Sequence, residues 1–137
     1  MGWAALTKMK RYQEALECCE KALELDPNHP GLWSNKGNLL AEMKRFQEAL
    51  ECCEKALEQD PTYPGACNNK GNVLRHLKRY QEALECYEKA LELDPSLPVA
   101  WSNKGTVLIK MKRYQEALEW SEKALEIFPD MKKKSWI

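Results

Sequence analysis

PGLWSNKGNLLAEMKRFQEALECCEKALEQDPTY, residues 30–63, decides how the chain is read. Proline at 30 suits a first helical turn, where its missing N–H costs nothing. Leu32, Trp33, Leu39, Leu40 and Met43 then recur at roughly helical spacing. Lys44 and Arg45 read as a turn. Phe46, Ala49, Leu50, Cys53, Ala56 and Leu57 mark one face of a second helix. Pro61 ends it, because proline disfavours helical geometry in the residue before it. Two helices of about a dozen residues joined by a short turn make an antiparallel hairpin. The run WSNKGN at 33–38 is odd inside the first of them. Ser, Asn and Gly are weak helix formers, so something other than propensity selects them.

The same stretch returns along the chain. Ala15, Ala49, Ala83 and Ala117 are each 34 residues apart, as are Ala22, Ala56, Ala90 and Ala124. Pro27, Pro61, Pro95 and Pro129 keep that step, and so do Gly37, Gly71 and Gly105. One aromatic position holds Tyr12, Phe46, Tyr80 and Tyr114. A fixed period of this length is the mark of a stacked array. The units run 1–29 (cut short), 30–63, 64–97 and 98–131, with a basic and aromatic tail at 132–137. The expected fold is all-α, with seven full helices and a truncated first one. Gly37 costs about 1 kcal/mol relative to alanine inside a helix. The expected gain is close approach of the partner helix, with Ala49 and Ala56 serving the same contact.

This pattern resembles the tetratricopeptide repeat. The resemblance is carried by Trp33, Gly37, Phe46, Ala49, Ala56 and Pro61. It recurs through Gly71, Tyr80, Ala83, Tyr87, Ala90 and Pro95, then Trp101, Gly105, Tyr114, Ala117, Ala124 and Pro129. It implies a right-handed superhelical α-solenoid with the first helices on the concave side, and a non-catalytic module that holds a peptide or helix there. Three departures stand out. Lysine (36, 70, 104) replaces the leucine before the glycine. Lysine (10, 44, 78, 112) also replaces the turn glycine, so the turn either keeps negative φ or strains each lysine. In the first unit Trp3 stands where the glycine belongs.

Under that resemblance, Asn35, Asn69 and Asn103 form a row up the concave wall. It resembles the asparagine ladder of the superhelix in O-linked N-acetylglucosamine transferase, because an amide can pair with both N–H and C=O of a peptide. Asn38, Asn72 and Thr106 lie one turn further on the same face. The same asparagines could instead bridge adjacent helices. Other groove candidates are Ser34, Asn68 and Ser102, then Arg75 and His76. The family's carboxylate clamp for chaperone tails is not expected. Its lysine site holds Ser34, and its third-unit cationic sites hold Val99 and Asn103, so the charge-assisted bonds are missing.

Composition narrows the rest. The 137 residues carry 21 basic and 21 acidic side chains. A neutral chain is a poor nucleic-acid binder, which needs excess cations to release counterions. No apolar run approaches a membrane span, and the start, MGWAALTKMKRY, lacks the form of a signal peptide. A cytoplasmic protein without cofactor is expected. The six cysteines read as free packing residues: no CxxC or paired-His motif suggests zinc, and neighbouring helix axes are too far apart for easy disulfides. His29, between two prolines, reads as solvated. No set of residues suggests catalysis. The ends look adhesive. Trp120 replaces the cysteine of 18, 52 and 86, Phe128 replaces the aspartate of 26, 60 and 94, and Trp136 nearly closes the chain. With Trp3 they suggest a homodimer or end-to-end stacking, since repeat arrays need polar caps.

Overall fold

The computed structural model describes residues 2–129. Its seven helices are α1 (Trp3–Leu25), α2 (Pro30–Glu42), α3 (Phe46–Gln59), α4 (Pro64–His76), α5 (Tyr80–Leu93), α6 (Pro98–Lys110) and α7 (Tyr114–Ile127). Among the described residues there is no strand. Each helix packs on the next, and α2 also touches α4, as α4 touches α6. The second helices α3, α5 and α7 make no such contact with one another among the described residues. The first helices are therefore the crowded inner layer and the second helices the spread outer one. The array curves with α2, α4 and α6 on its concave side.

Each full hairpin reverses through a left-handed lysine. Lys44, Lys78 and Lys112 have φ of 63°, 62° and 61°. The Lys44 N–H donates to the Ala41 carbonyl and the Arg45 N–H to Leu40, at 2.9 and 2.8 Å. Lys78–Arg79 and Lys112–Arg113 repeat both bonds. This is the two-bond Schellman ending, which satisfies carbonyls the helix leaves open. Left-handed geometry costs a side-chain-bearing residue about 1–2 kcal/mol. The question left open by the sequence is thus answered on the strained side. Arg45, Arg79 and Arg113 then pair with Glu48, Glu82 and Glu116 in the first turn of the next helix. An acid there also complements the helix dipole.

The first unit departs from the expected truncated helix and turn. α1 runs unbroken through Lys10 and Arg11. The glycine contacts supply the reason. A Cβ built on Gly37 meets the Cys53 sulfur at 2.9 Å and the Ala49 carbonyl at 3.2 Å. Trp3 holds the repeat position of Gly37, and an indole does not fit an approach that close. Lys10 then gains nothing from left-handed strain and stays helical. Ala15 and Ala22 are left half-buried, whereas Ala49, Ala56, Ala83 and Ala90 are sealed.

The three glycines are not equivalent. A Cβ on Gly71 would lie 2.6 Å from the Tyr87 ring, whereas one on Gly105 meets only Trp120, at an ordinary 3.6 Å. The expectation of forced close approach holds at Gly37 and Gly71 and fails at Gly105. The residue after Trp120 is Ser121, too small to fill the space that Cys53 and Tyr87 fill in their repeats. In urea unfolding, Gly105→Ala is expected to stabilise by up to about 1 kcal/mol through helix propensity. Gly71→Ala is expected to cost about 1–3 kcal/mol through overpacking. Equal effects at both sites would show that helix propensity, not the partner helix, governs them.

Candidate functional site

An open hollow of about 400 Å3 lies on the concave side. Asn38, Ala41 and Glu42 reach it from α2, and Asn72, Arg75 and His76 from α4. Lys8 and Tyr12 of α1, with Lys44 and Phe46 at the α2–α3 turn, complete the wall. Its floor is a stack: the Phe46 and His76 rings lie 5.1 Å apart and 11° from parallel. The Tyr12 hydroxyl donates to Glu42 Oε2 at 3.1 Å. Arg75 Nε donates to the Tyr87 hydroxyl at 3.3 Å, and that hydroxyl donates to Asn72 Oδ1 at 2.7 Å. The Tyr87 ring is wholly buried, and burial pushes its phenol up to about 12, with Arg75 opposing. It stays protonated and keeps Asn72 and Arg75 in place. Burial pulls the His76 imidazole down, Arg75 adds to this, and Glu42 opposes it.

The other sequence candidates fall elsewhere. Asn69 Nδ2 donates to the Ser34 hydroxyl at 2.9 Å, and Asn103 Nδ2 to Asn68 Oδ1 at 3.2 Å. Each bond spans 35 positions, one more than the repeat, and joins successive first helices. Ser34 and Asn68 are buried at these joints, 2% and 7% exposed, and present no groove surface, contrary to expectation. Asn35 is exposed and takes no side-chain bond among the described residues. Ser102 is exposed, and Thr106 donates back to the Ser102 carbonyl at 3.1 Å. Sequence reasoning missed Lys8 and Tyr12 as wall residues. Tyr12 was detectable, because it shares the register of Phe46.

His29 is exposed, but it is not idle: its Nδ1 accepts the Leu32 N–H at 3.1 Å and caps α2. Trp120 is not a bare end. Its ring stacks on Trp101 at 3.9 Å, and its Nε1 donates to the Trp101 carbonyl at 2.8 Å. Phe128 meets Trp101 edge-on at 6.0 Å. Both are built into the last hairpin, so the expectation that they form a free contact face is revised. Trp3 remains 85% exposed. Trp136 lies outside the described residues. All six cysteines are free thiols, and burial pushes Cys53 to about 12 and Cys86 to about 11. Among the described residues, no group of three or more His, Cys, Asp or Glu side chains converges as a metal site would require. No helix there is long and apolar enough to cross a membrane.

Curved hairpins closed by small residues, with a hollow walled by the inner helices, define a helical repeat protein. The chain belongs to the tetratricopeptide repeat family, whose model matches residues 4–29, 30–63, 64–97 and 98–131. Comparison with curated proteins finds no match. Among solved structures, MamA from Desulfovibrio magneticus RS-1 is similar at 25% identity with a TM-score of 0.79, covering 93% of this chain and 72% of that one. YrrB, described as a TPR protein with an unusual peptide-binding site, is 31% identical with a TM-score of 0.75, over 83% of this chain and 59% of its own. The first TPR of Spaghetti (RPAP3), bound to the HSP90 peptide SRMEEVD, is 27% identical with a TM-score of 0.71, over 80% and 86%.

The inter-repeat bonds set different costs along the asparagine row. Asn69→Ala and Asn103→Ala each strand a buried partner, Ser34 or Asn68, and are expected to cost about 1–3 kcal/mol. Asn35→Ala is expected to leave the unfolding midpoint unchanged or slightly raised, since alanine is the better helix former. Chemical denaturation of the three single variants checks this, and three equal midpoints would refute it.

Proposed function

We propose that the chain is a non-catalytic interaction scaffold that holds a peptide or helix in its concave hollow. One observation carries the reading: a hollow of about 400 Å3 that pairs an aromatic floor with amide and charged walls. The Phe46–His76 stack offers an apolar platform. Asn38 is exposed and can donate and accept toward a peptide backbone. Asn35 stands free to extend that row; Asn103 retains its carbonyl and one N–H after bridging to Asn68, and Asn69, whose Nδ2 donates to both the hydroxyl and the carbonyl of Ser34, retains its carbonyl. The peptide-binding site described for YrrB and the HSP90 peptide bound to the RPAP3 repeat, both TPR proteins, support the reading. Peptide display against the folded chain is the test. Selected peptides are expected to lose about tenfold in affinity with Asn38→Ala or His76→Ala at unchanged melting temperature, by loss of a hydrogen bond or of ring contact. Binding indifferent to both variants would place the ligand elsewhere.

A second reading, self-association through the N-terminal end, also has an observation behind it. Leu6 is 53% exposed, although its counterparts Leu40, Leu74 and Leu108 are buried. Trp3 and Met9 extend the same exposed apolar stretch of α1, and such patches mark contact sites. Sedimentation at rising concentration is expected to show a mass above the monomer that Leu6→Glu reduces. A monomer at every concentration would dismiss this reading.

A further inference from the structure

The outer face carries a cavity at one recurring position, and the repeats differ in what fills it. In repeat three it lies between α3 and α5 with α4 as floor, and holds about 390 Å3. The matching hollows of repeats two and four hold about 300 and 290 Å3. In repeat four two rings of the chain itself, Trp101 stacked on Trp120, take up part of the space. In repeat two Trp33 lines it. In repeat three both aromatic positions are cysteines, Cys67 and Cys86, each 34 residues before its tryptophan counterpart. Leu50, Leu57 and Leu74 supply the remaining apolar wall.

The groups that serve an indole in the other repeats are still in place in repeat three. Lys104 Nζ stands 3.9 Å from the Trp120 ring centre, and Lys36 Nζ 5.5 Å from that of Trp33. Their counterpart, Lys70, lines the cavity with no ring beneath it, only Glu54 at 3.9 Å. The indole N–H groups of Trp33 and Trp101 donate to the carbonyls of Pro27 and Pro95, at 2.8 and 2.7 Å. The matching carbonyl of Pro61 accepts no such bond among the described residues. Missing rings, a lysine that faces no ring and an unused acceptor coincide at one repeat.

We infer that the outer cavity of repeat three binds a planar aromatic group of the indole class, seated between Cys67 and Cys86 beneath the Lys70 ammonium. A cation over a ring face favours a π system above an alicyclic ring of equal bulk. Binding is non-covalent, because burial keeps both thiols protonated and protonated thiols are poor nucleophiles. The site is independent of the concave hollow and lies on the opposite face of the array.

The experiment is calorimetric titration of the whole chain with free indole, and in a second arm with a blocked glycine–tryptophan–glycine peptide. Cyclohexanol serves as the non-aromatic control. Indole or the peptide is expected to bind, and cyclohexanol at least about threefold more weakly, as a cation–π term of this kind implies. Tighter binding of free indole assigns a small molecule, and tighter binding of the peptide assigns a partner's tryptophan side chain. Cys67→Trp is expected to abolish binding by filling the site. Lys70→Met, which leaves the cavity shape intact, is expected to weaken it about three- to fivefold. Absence of binding in both arms overturns the proposal. So does binding that survives Cys67→Trp in a folded variant, shown by unchanged helicity, or binding indifferent to Lys70→Met.

Discussion

Close approach of two antiparallel helices, permitted by a glycine on one and alanines on the other, is the contact on which the architecture rests. Gly37 admits the Cys53 sulfur and Gly71 admits the Tyr87 ring at distances that leave no room for a methyl group. In repeats two and three that contact sets how near the two helices lie, while repeat four reverses at Lys112 with nearly the same φ although Gly105 has no such contact. The reversal falls on lysines at positive φ. Their strain is tolerated because the packed helices over-determine the turn. α1 is the counterexample within the same molecule. With Trp3 in place of the glycine the contact cannot form, and the same Lys-Arg pair, at 10–11, remains helical. The Lys-Arg pair is therefore not by itself sufficient to make the turn.

Stacking of one hairpin on the next adds a second, more polar set of contacts. Lys36, Lys70 and Lys104 reach Glu20, Glu54 and Glu88 of the preceding second helix, at 3.6, 3.9 and 3.3 Å. These pairs are partly exposed, and each contributes well under about 1 kcal/mol. Their value is in register, since the same offset recurs at every joint. The buried bonds from Asn69 to Ser34 and from Asn103 to Asn68 matter more, because breaking one leaves a polar group without water. The weak helix formers in the repeated run thus have a physical office. Glycine admits the second helix, and the serine or asparagine pairs hold the first helices together.

Much of this was legible in the sequence, and the missing parts share a cause. The step of 34, the spaced alanines and the prolines before each new helix specify hairpins, their number and their order. They do not specify the offset between neighbouring hairpins, which depends on superhelical rotation. The asparagine bonds follow that offset, joining residues 35 apart, so alignment on the repeat alone does not separate a row lining the groove from one that bridges adjacent helices. The groove wall from Lys8 and Tyr12 was hidden for a related reason: it requires α1 to run straight, and the Lys-Arg pair suggested a turn. Trp120 looked like an exposed end because its partner, Trp101, lies on the other helix of the hairpin, 19 residues away.

Near-identical repeats act as internal controls, and their differences locate the individual chemistry of the chain. A position that is tryptophan in two repeats and cysteine in the third keeps its backbone, its lysine and its neighbouring carbonyl, but loses the ring. The reverse holds on the inner side, where Arg75 and His76 replace Ala41 with Glu42 and Ile109 with Lys110. Repeat three is thus the unit that departs from its neighbours on both faces. It is also the best-sheltered unit, with a full hairpin on each side and the wholly buried Tyr87 as its pivot. Within an array whose stability is a sum over neighbours, a central repeat can tolerate an unfilled cavity and polar groove residues that a terminal one could not. That is where a binding function costs the fold least.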